Sequence, residues 1–244
     1  MTLFVTGGSR GIGAALVRDA ARAGWDVAFT YLKHREEAER VADEARQGGR
    51  KVAAYALDVR DSACVDTVVD QVLADFGEVR AVVCNAGVSL NGLAYGLTDE
   101  DWKAVIDTNL TGSYFVCRAF LPALVAQRFG RIVLVSSVTW QGASGQAAYA
   151  ASKAGLHGLG GALAKEYGPK GVTTNVVVPG TFDTDMTREE LSKQLAAYAL
   201  QYCPLRRMGS LRELTATILF LCSPEAGYVN GATLPVSGGL DWVP

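Results

Sequence analysis

The stretch that decides the fold is Thr6-Gly7-Gly8-Ser9-Arg10-Gly11-Ile12-Gly13, near the start of the 244-residue chain. It follows a short apolar run at Leu3–Thr6 and opens a segment of helical periodicity at Gly13–Ala23. Glycines at these positions let the backbone turn sharply and adopt positive φ angles. The stretch therefore predicts a strand, a tight turn and a helix, in that order.

The same alternation of short apolar runs and longer helical segments continues through the chain. Parallel strands need a crossover segment between them, and alternation supplies a helix for each crossover. We therefore expect a single domain over residues 1–244, a Rossmann-like, doubly wound parallel sheet of about seven strands with helices on both faces. The predicted strands are Leu3–Thr6, Asp26–Tyr31, Val52–Leu57, Ala81–Cys84, Arg131–Ser136, Val172–Val178 and Thr233–Val236. The predicted helices are Gly13–Ala23, Glu36–Gln47, Asp61–Phe76, Asp101–Gln127, Tyr149–Tyr167, Arg188–Leu200 and Leu211–Leu221.

The longest connection, Thr181–Met208, carries one of these helices, which favours a substrate-side lid within residues 181–208.

Composition excludes several function classes. A formal net charge of −2 gives no strong basic field, so we expect neither a nucleic acid nor a membrane surface as a partner. Five widely spaced cysteines without a CxxC pair indicate free thiols in a reducing cytoplasm, and we find neither a signal peptide nor a membrane span. The only histidines, His34 and His157, form no ligand cluster with the cysteines, so no metal site is expected.

The glycine turn is a candidate phosphate site. Its backbone can approach a pyrophosphate closely, and the N-terminus of the following helix offers free N–H groups and a positive dipole end. An ordinary glycine-rich turn between a strand and a helix would have a similar sequence.

The end of the second strand bears on the choice of nucleotide. The run Phe29–Arg35 has no acidic residue that would bind a ribose 2′-hydroxyl and repel a 2′-phosphate, so NADP(H) is favoured over NAD. Arg10, with Lys33 or His34 beyond Tyr31, would neutralise that phosphate through charge-assisted hydrogen bonds. Lys33 and His34 would equally suit exposed loop charges.

The most specific signal is Tyr149-Ala-Ala-Ser-Lys153. Residues four apart share a helix face, which places a phenol beside an ammonium, and a nearby cation lowers the pKa of a phenol. By itself the pair would also suit the surface of an amphipathic helix.

The chain resembles the classical short-chain dehydrogenase/reductase family over residues 2–240. The resemblance rests on the TGxxxGxG spacing, on the Tyr149–Lys153 pair and on the motifs around them, which occur in the order found in the family. The resemblance implies that Tyr149 protonates a ketone oxygen and that Lys153 also binds the nicotinamide ribose. It implies that Asp58 contacts the adenine, and that the backbone of Phe182 and the hydroxyl of Thr184 hold the carboxamide. The full implied cofactor set is Gly7, Ser9, Arg10, Gly11, Ile12, Gly13, Tyr31, Lys33, His34, Asp58, Val59, Asn85, Ala86, Gly87, Tyr149, Lys153, Pro179, Gly180, Phe182 and Thr184.

Two further residues complete the catalytic set that the resemblance implies. Ser137, before Val138 at the end of the fifth strand, would hold the substrate oxygen; the family's usual spacing to the tyrosine selects Ser136 instead, so a loop shorter by one residue is assumed. Asn109 would help to hold a water linked to Lys153. It would also suit a satisfied polar group at a helix kink.

Within the family the chain is most similar to the 3-oxoacyl-[acyl-carrier-protein] reductases. We expect NADPH-dependent reduction of a 3-oxoacyl thioester bound to acyl carrier protein or CoA. Departures at Ser89–Gly92 and Thr139–Gln141 suggest a changed pocket rim, which leaves open a polyketide or other specialised-metabolite ketoreductase acting on a larger or cyclic ketone. An NADP-sensing regulator without turnover is the alternative from outside the enzymes.

The resemblance also implies a homotetramer built on the small-residue faces of two helices, around Asn109–Ala126 and Ala150–Ala164. The second of these helices contains Gly155, Gly158, Gly160 and Gly161, which would otherwise only pack the helix against the sheet. Arg128 and Lys170, just before the fifth and sixth strands, match the carrier-reductase pattern and are candidates for docking an acidic carrier protein. Each would equally suit a solvated loop cation.

Overall fold

The computed structural model describes residues 1–182, 197 and 200–240, and its seven strands form one parallel sheet. The order across the sheet is β3-β2-β1-β4-β5-β6-β7. This confirms the predicted doubly wound architecture. The strands are β1 Thr2–Val5, β2 Asp26–Tyr31, β3 Val52–Ala56, β4 Val79–Cys84, β5 Gly130–Val135, β6 Val172–Pro179 and β7 Thr233–Val236.

Seven α-helices are described in this part of the chain, and most of their ends lie within two residues of the predicted ones. They are α1 Gly11–Arg22, α2 Arg35–Arg46, α3 Ser62–Phe76, α4 Asp99–Ile106, α5 Gly112–Ala126, α6 Ala147–Tyr167 and α7 Leu211–Cys222. The predicted helix Arg188–Leu200 lies outside the described residues apart from positions 197 and 200.

Two apolar layers hold the helices on the sheet. Leu16 of α1, Val41 of α2 and Ile218 of α7 pack on one face, and Phe120 of α5 and Leu156 of α6 belong to the layer on the other. These five side chains are almost fully buried, and each such burial contributes about 1.5–3 kcal/mol. The central strands read as continuous apolar runs because helices cover both of their faces.

The predicted long helix Asp101–Gln127 is present, but it is not α-helical throughout. The structure has α4, a five-residue π-helical turn at Asp107–Thr111, and then α5. The buried side chain of Asn109 holds this turn against the segment that follows β4, because it hydrogen-bonds the backbone N–H and carbonyl groups of Val88. Such insertions are frequent at functional sites, and hydrophobic periodicity does not reveal them because the helix resumes directly afterwards.

The winding of the chain reverses between β1 and β4. From β1 the chain builds outward through β2 and β3, and it then returns to β4 on the other side of β1. In open sheets of this kind, ligands bind at the carboxyl ends of the strands beside such a switch point. The glycine turn after β1 and Asn85 after β4 both lie there.

No helix in the described part of the chain combines the length and apolarity needed to cross a bilayer.

Candidate active site

The glycine turn has a shape that only glycine permits at two of its positions. Gly7 has φ +68° and Gly11 has φ +54°, in the left-handed region that disfavours side chains. A Cβ on Gly13 would lie 2.1 Å from the carbonyl oxygen of Gly7. The turn is therefore drawn tightly against the first turn of α1.

The N-terminus of α1 leaves its donors available to a ligand. Its N-cap residue, Arg10, makes no side-chain cap hydrogen bond, and its first turn holds no acidic residue, whereas Asp61 caps α3 by accepting from two backbone N–H groups. Unsatisfied N–H groups at a helix start favour an anion. The residues present therefore fit the pyrophosphate of a dinucleotide, with Ser9 buried within the turn and Ile12 half-buried.

Thr6 joins the glycine turn to the segment after β4. Its hydroxyl oxygen accepts from the backbone N–H groups of Asn85 (3.0 Å) and Ala86 (2.9 Å). The Asn85 amide donates to the carbonyl oxygens of Thr6 (3.0 Å) and Gly7 (3.1 Å). We assigned no role to Thr6 from the sequence; its signal is a hydroxyl at the end of the strand beside the switch point.

The residues predicted at the adenosine end follow β1, β2 and β3. Arg10 and Lys33 are exposed, and Tyr31 is half-buried. His34 lies 3.7 Å from the carboxylate of Glu37, an acidic residue in the first turn of α2. Of the three cations predicted to bind the 2′-phosphate, Arg10 and Lys33 therefore make no described ion pair.

Asp58 is held as a carboxylate by Arg60. The guanidinium of Arg60 donates to both carboxylate oxygens at 2.6–3.1 Å, and these bonds hold the pKa of Asp58 below its ordinary value. The next residue, Val59, is buried against Gly112, where a Cβ would lie 2.7 Å from a Val59 methyl carbon. Arg60 is a neighbour of the site that the sequence reasoning missed.

Tyr149 and Lys153 meet on α6 as their spacing predicts. The Lys153 ammonium lies 5.5 Å from the centre of the Tyr149 ring. Lys153 is only 4% exposed, and its Nζ donates to the carbonyl oxygen of Val135 at 2.8 Å. Burial lowers the pKa of Lys153 to about 8, so the amine remains largely charged at neutral pH and can lose its proton in mildly basic solution.

Asn109 links three parts of the site from inside the π turn. Its amide nitrogen donates to Val88 O (3.0 Å) and to Ser152 Oγ (3.0 Å), and its oxygen accepts from Val88 N–H (2.8 Å). Ser152 in turn donates to the carbonyl oxygen of Tyr149 at 2.7 Å. Asn109 therefore fixes α6 against the segment that follows β4, and Ser152 is a further residue missed from the sequence.

The two serines after β5 differ in what their hydroxyl protons do. Ser136 is buried and donates to the carbonyl oxygen of Lys153 at 3.2 Å. Ser137 is half-buried, and its oxygen accepts from the backbone N–H (3.3 Å) and the hydroxyl (3.1 Å) of Thr139. Because both contacts of Ser137 use its oxygen, its own proton is available to a ketone.

The end of β6 is described as far as Phe182. Pro179 is the last residue of β6, and Gly180 donates to Val236 O at 2.9 Å. Phe182 is buried and pairs with Gly209 in an isolated parallel β-bridge. The hydrogen bond described for this bridge runs from Gly209 N–H to Thr181 O, so it does not use the backbone of Phe182. Thr184 and positions 183–196 of the predicted lid lie outside the described residues.

Gly87 completes the wall beside Lys153. A Cβ there would lie 3.2 Å from the Asn109 side-chain oxygen and 3.5 Å from Lys153 Nζ. The predicted residues from β1, β4, β5 and α6 thus converge on one edge of the sheet. Across the described residues, no group of three or more His, Cys, Asp and Glu side chains is placed to hold a metal ion.

Comparisons with known proteins relate the whole chain to one family. A family model described as enoyl-(acyl carrier protein) reductase matches residues 7–241. The 3-oxoacyl-[acyl-carrier-protein] reductases of Escherichia coli K12 and Pseudomonas aeruginosa are each 39% identical over 238 residues, covering 97% of this chain and 96% of the relative. A crystal structure of a short-chain alcohol dehydrogenase from Sinorhizobium meliloti 1021 superposes with a TM-score of 0.94 at 31% identity, covering 98% of this chain and 95% of that one.

Proposed function

This chain belongs to the short-chain dehydrogenase/reductase family and is an oxidoreductase acting on CH–OH and C=O groups, and we propose that it uses NADPH to reduce a 3-oxoacyl thioester to the 3-hydroxyacyl form. The observation that carries the proposal is the pair of Tyr149 and buried Lys153, together with an N-terminus of α1 that has no side-chain cap. The similarity to 3-oxoacyl-[acyl-carrier-protein] reductases supports the substrate class.

The chain's own residues account for the handling of the proton. When bound, the nicotinamide cofactor supplies the hydride that reduces the carbonyl carbon. The free proton of Ser137 binds the ketone oxygen and orients it, and Tyr149 donates the proton that this oxygen gains. The Lys153 ammonium stabilises the negative charge that Tyr149 acquires, and Asn109 keeps α6 in place while this happens.

Cofactor choice rests on charge. Arg10 and Lys33 are exposed, and Gly8 N–H donates to Thr30 O at 2.8 Å, which holds the glycine turn that carries Arg10 against β2. Both cations are therefore able to pair with a 2′-phosphate. We therefore expect NADPH to exceed NADH in catalytic efficiency by at least an order of magnitude.

One observation favours a larger ketone as the second candidate substrate. Several apolar side chains after β4 are exposed, among them Leu90, Leu93 and Tyr95, of which Tyr95 is 93% exposed. This segment is attached to the turn before α6 by a bond from Gly92 N–H to Gly145 O (2.8 Å). An apolar rim near Tyr149 would suit the bulky ketone of a polyketide or other specialised metabolite.

Docking of a carrier protein is a further part of the proposal. Arg128 and Lys170 precede the paired residues Gly130 and Val172, so both lie at one edge of the sheet. This is the amino-terminal edge, and the six-residue strand β5 separates it from the catalytic edge by about 20 Å. We propose that an acidic carrier protein docks at this edge through Arg128 and Lys170, whose positive charges suit its surface. The five free thiols support a cytoplasmic location.

The test is NADPH consumption by the purified protein with 3-oxoacyl thioesters of several lengths, aromatic and cyclic ketones, and a 2-enoyl thioester. Reduction of a 3-oxoacyl thioester, with NADH at least tenfold less effective, would support the proposal. Turnover of only the cyclic or aromatic ketones would move the assignment to specialised metabolism. Turnover of only the enoyl thioester would contradict ketone reduction, and no turnover at all would favour an NADP-sensing regulator.

The docking site has its own test. Arg128→Glu with Lys170→Glu should raise the KM for a carrier-bound substrate and leave the KM for a small soluble thioester unchanged.

A further inference from the structure

A second polar cluster lies one helical turn beyond Lys153 and has no part in the chemistry described above. It is centred on His157 of α6, whose Nε2 lies 3.0 Å from Ser136 Oγ and whose Nδ1 lies 3.1 Å from Thr233 Oγ1. His157 therefore connects α6 to the end of β5 and to the start of β7.

The contacts of Ser136 fix the direction of these hydrogen bonds. Its hydroxyl donates to Lys153 O at 3.2 Å, so its oxygen accepts from His157 Nε2–H. A neutral imidazole has one donor and one acceptor, so Nδ1 accepts from the Thr233 hydroxyl. Burial lowers the pKa of His157, in agreement with a neutral ring.

The face of the same ring holds the turn that carries Ser137. Trp140 stacks on His157, with 4.1 Å between ring centres and 23° between ring planes. Trp140 belongs to the 3-10 turn Val138–Gln141, for which Ser137 is the N-cap, and its backbone N–H donates to Ser137 O at 3.0 Å. The indole therefore fastens the Ser137 turn to the helix that bears Tyr149 and Lys153.

We propose that His157 is a positioning residue that, through Trp140 and Ser136, holds the Ser137 hydroxyl in register with Tyr149. The inference rests on the proposed function, because Ser137 must orient a ketone for its position to matter. Displacement of a catalytic group by about 1 Å can lower a rate by up to about a hundredfold. A loose Ser137 turn should therefore lower kcat while cofactor binding, which depends on other residues, is kept.

Paired substitutions separate the stack of the His157 ring on Trp140 from the hydrogen bonds of the ring. His157→Phe keeps a ring for Trp140 and loses both hydrogen bonds, whereas His157→Gln keeps a donor for Ser136 and loses the stack. We expect His157→Ala and Trp140→Ala each to lower kcat about tenfold or more, with KM for NADPH changed less than twofold. Trp140→Phe should restore most of the rate, and the double alanine variant should be no slower than the slower single variant, because both single variants remove the stack between Trp140 and His157.

Leu159→Ala is the matched control. Leu159 lies on the same helix and packs partly buried in the core, so its loss should lower Tm without changing kcat at a temperature where the protein is folded. The inference would be overturned if His157→Ala and Trp140→Ala kept the parental kcat, or if Trp140→Phe were as slow as Trp140→Ala. If His157→Ala does not fold, the two Trp140 variants decide the question.

Tyr149→Phe in the same assay distinguishes a failure of the proposed function from a failure of the positioning role of His157. Loss of turnover in Tyr149→Phe together with a parental rate in His157→Ala would overturn only the positioning role. Retained turnover in Tyr149→Phe would overturn both, since no constellation would remain for His157 to hold in register.

Discussion

At the scale of single residues, the two serines after β5 divide two tasks between them. The Ser136 hydroxyl donates to the carbonyl oxygen of Lys153. The Ser137 oxygen accepts in both of its described hydrogen bonds, so its hydroxyl proton is available to a ligand. We expect Ser137→Ala to lower kcat by about a hundredfold, the range found when one transition-state donor is removed. Ser136→Ala should cost much less and act through α6. Steady-state kinetics of the two variants check this, and the reverse order would assign the substrate contact to Ser136.

Lys153 predicts a dependence of stability on pH. Its pKa is about 8 in the folded chain and 10.5 ordinarily, so between these values the unfolded chain binds more protons and stability rises with pH. At about 1.4 kcal/mol per pH unit, the parental protein should gain about 3 kcal/mol relative to Lys153→Met from pH 8 to 10.5. Urea unfolding of both proteins across this range measures the difference. A constant difference would mean that the amine titrates normally.

At the scale of elements, the π turn between α4 and α5 depends on one buried amide. Asn109→Ala would remove three hydrogen bonds of a fully buried side chain, two to the backbone of Val88 and one to Ser152, and each such bond contributes about 0.5–1.5 kcal/mol. We expect a loss of at least about 2 kcal/mol in the free energy of unfolding, measured by urea denaturation. Exposed Asn91→Ala is the control and should change stability little. Equal stability of the two variants would contradict the role given to Asn109.

The elements also show how far the sequence alone leads. The strands could be predicted because each is short, apolar and followed by a turn signal, and the Tyr149–Lys153 pair because a helix brings residues four apart together. The π turn, the Thr139 contacts of Ser137 and the stack of Trp140 on His157 could not, because they depend on tertiary hydrogen bonds and packing. The family's spacing to the tyrosine selects Ser136, whereas the place before Val138 selects Ser137, and the directions of the hydrogen bonds in the structure favour Ser137.

At the scale of the whole molecule, the glycines of α6 fall into two groups. A Cβ on Gly155 would lie 2.5 Å from Leu110 and one on Gly160 would lie 2.9 Å from Val176, so both serve packing within the chain. Among the described residues, no atom lies within 4 Å of a Cβ placed on Gly158 or Gly161. These two positions remain for the proposed contact between subunits.

The predicted homotetramer can be tested at these open positions. Gly158→Arg with Gly161→Arg should dissociate the assembly while leaving the chain folded, because the new side chains would meet a second chain packed there and no described residue of their own chain lies within 4 Å of these positions. Light scattering with size-exclusion chromatography measures the mass, and circular dichroism confirms the fold. A parental protein that is already monomeric at micromolar concentration would contradict the prediction, as would a doubly substituted protein that remains tetrameric.

The proposal as a whole depends most directly on Tyr149 as the proton donor. Tyr149→Phe keeps the aromatic ring and removes only the hydroxyl, so the decisive measurement is kcat for NADPH-dependent reduction of a 3-oxoacyl thioester, with NADPH binding measured in parallel. We predict a fall in kcat of at least about a hundredfold, with the Kd for NADPH changed less than about threefold. A variant that reduces the thioester at the parental rate would contradict the account.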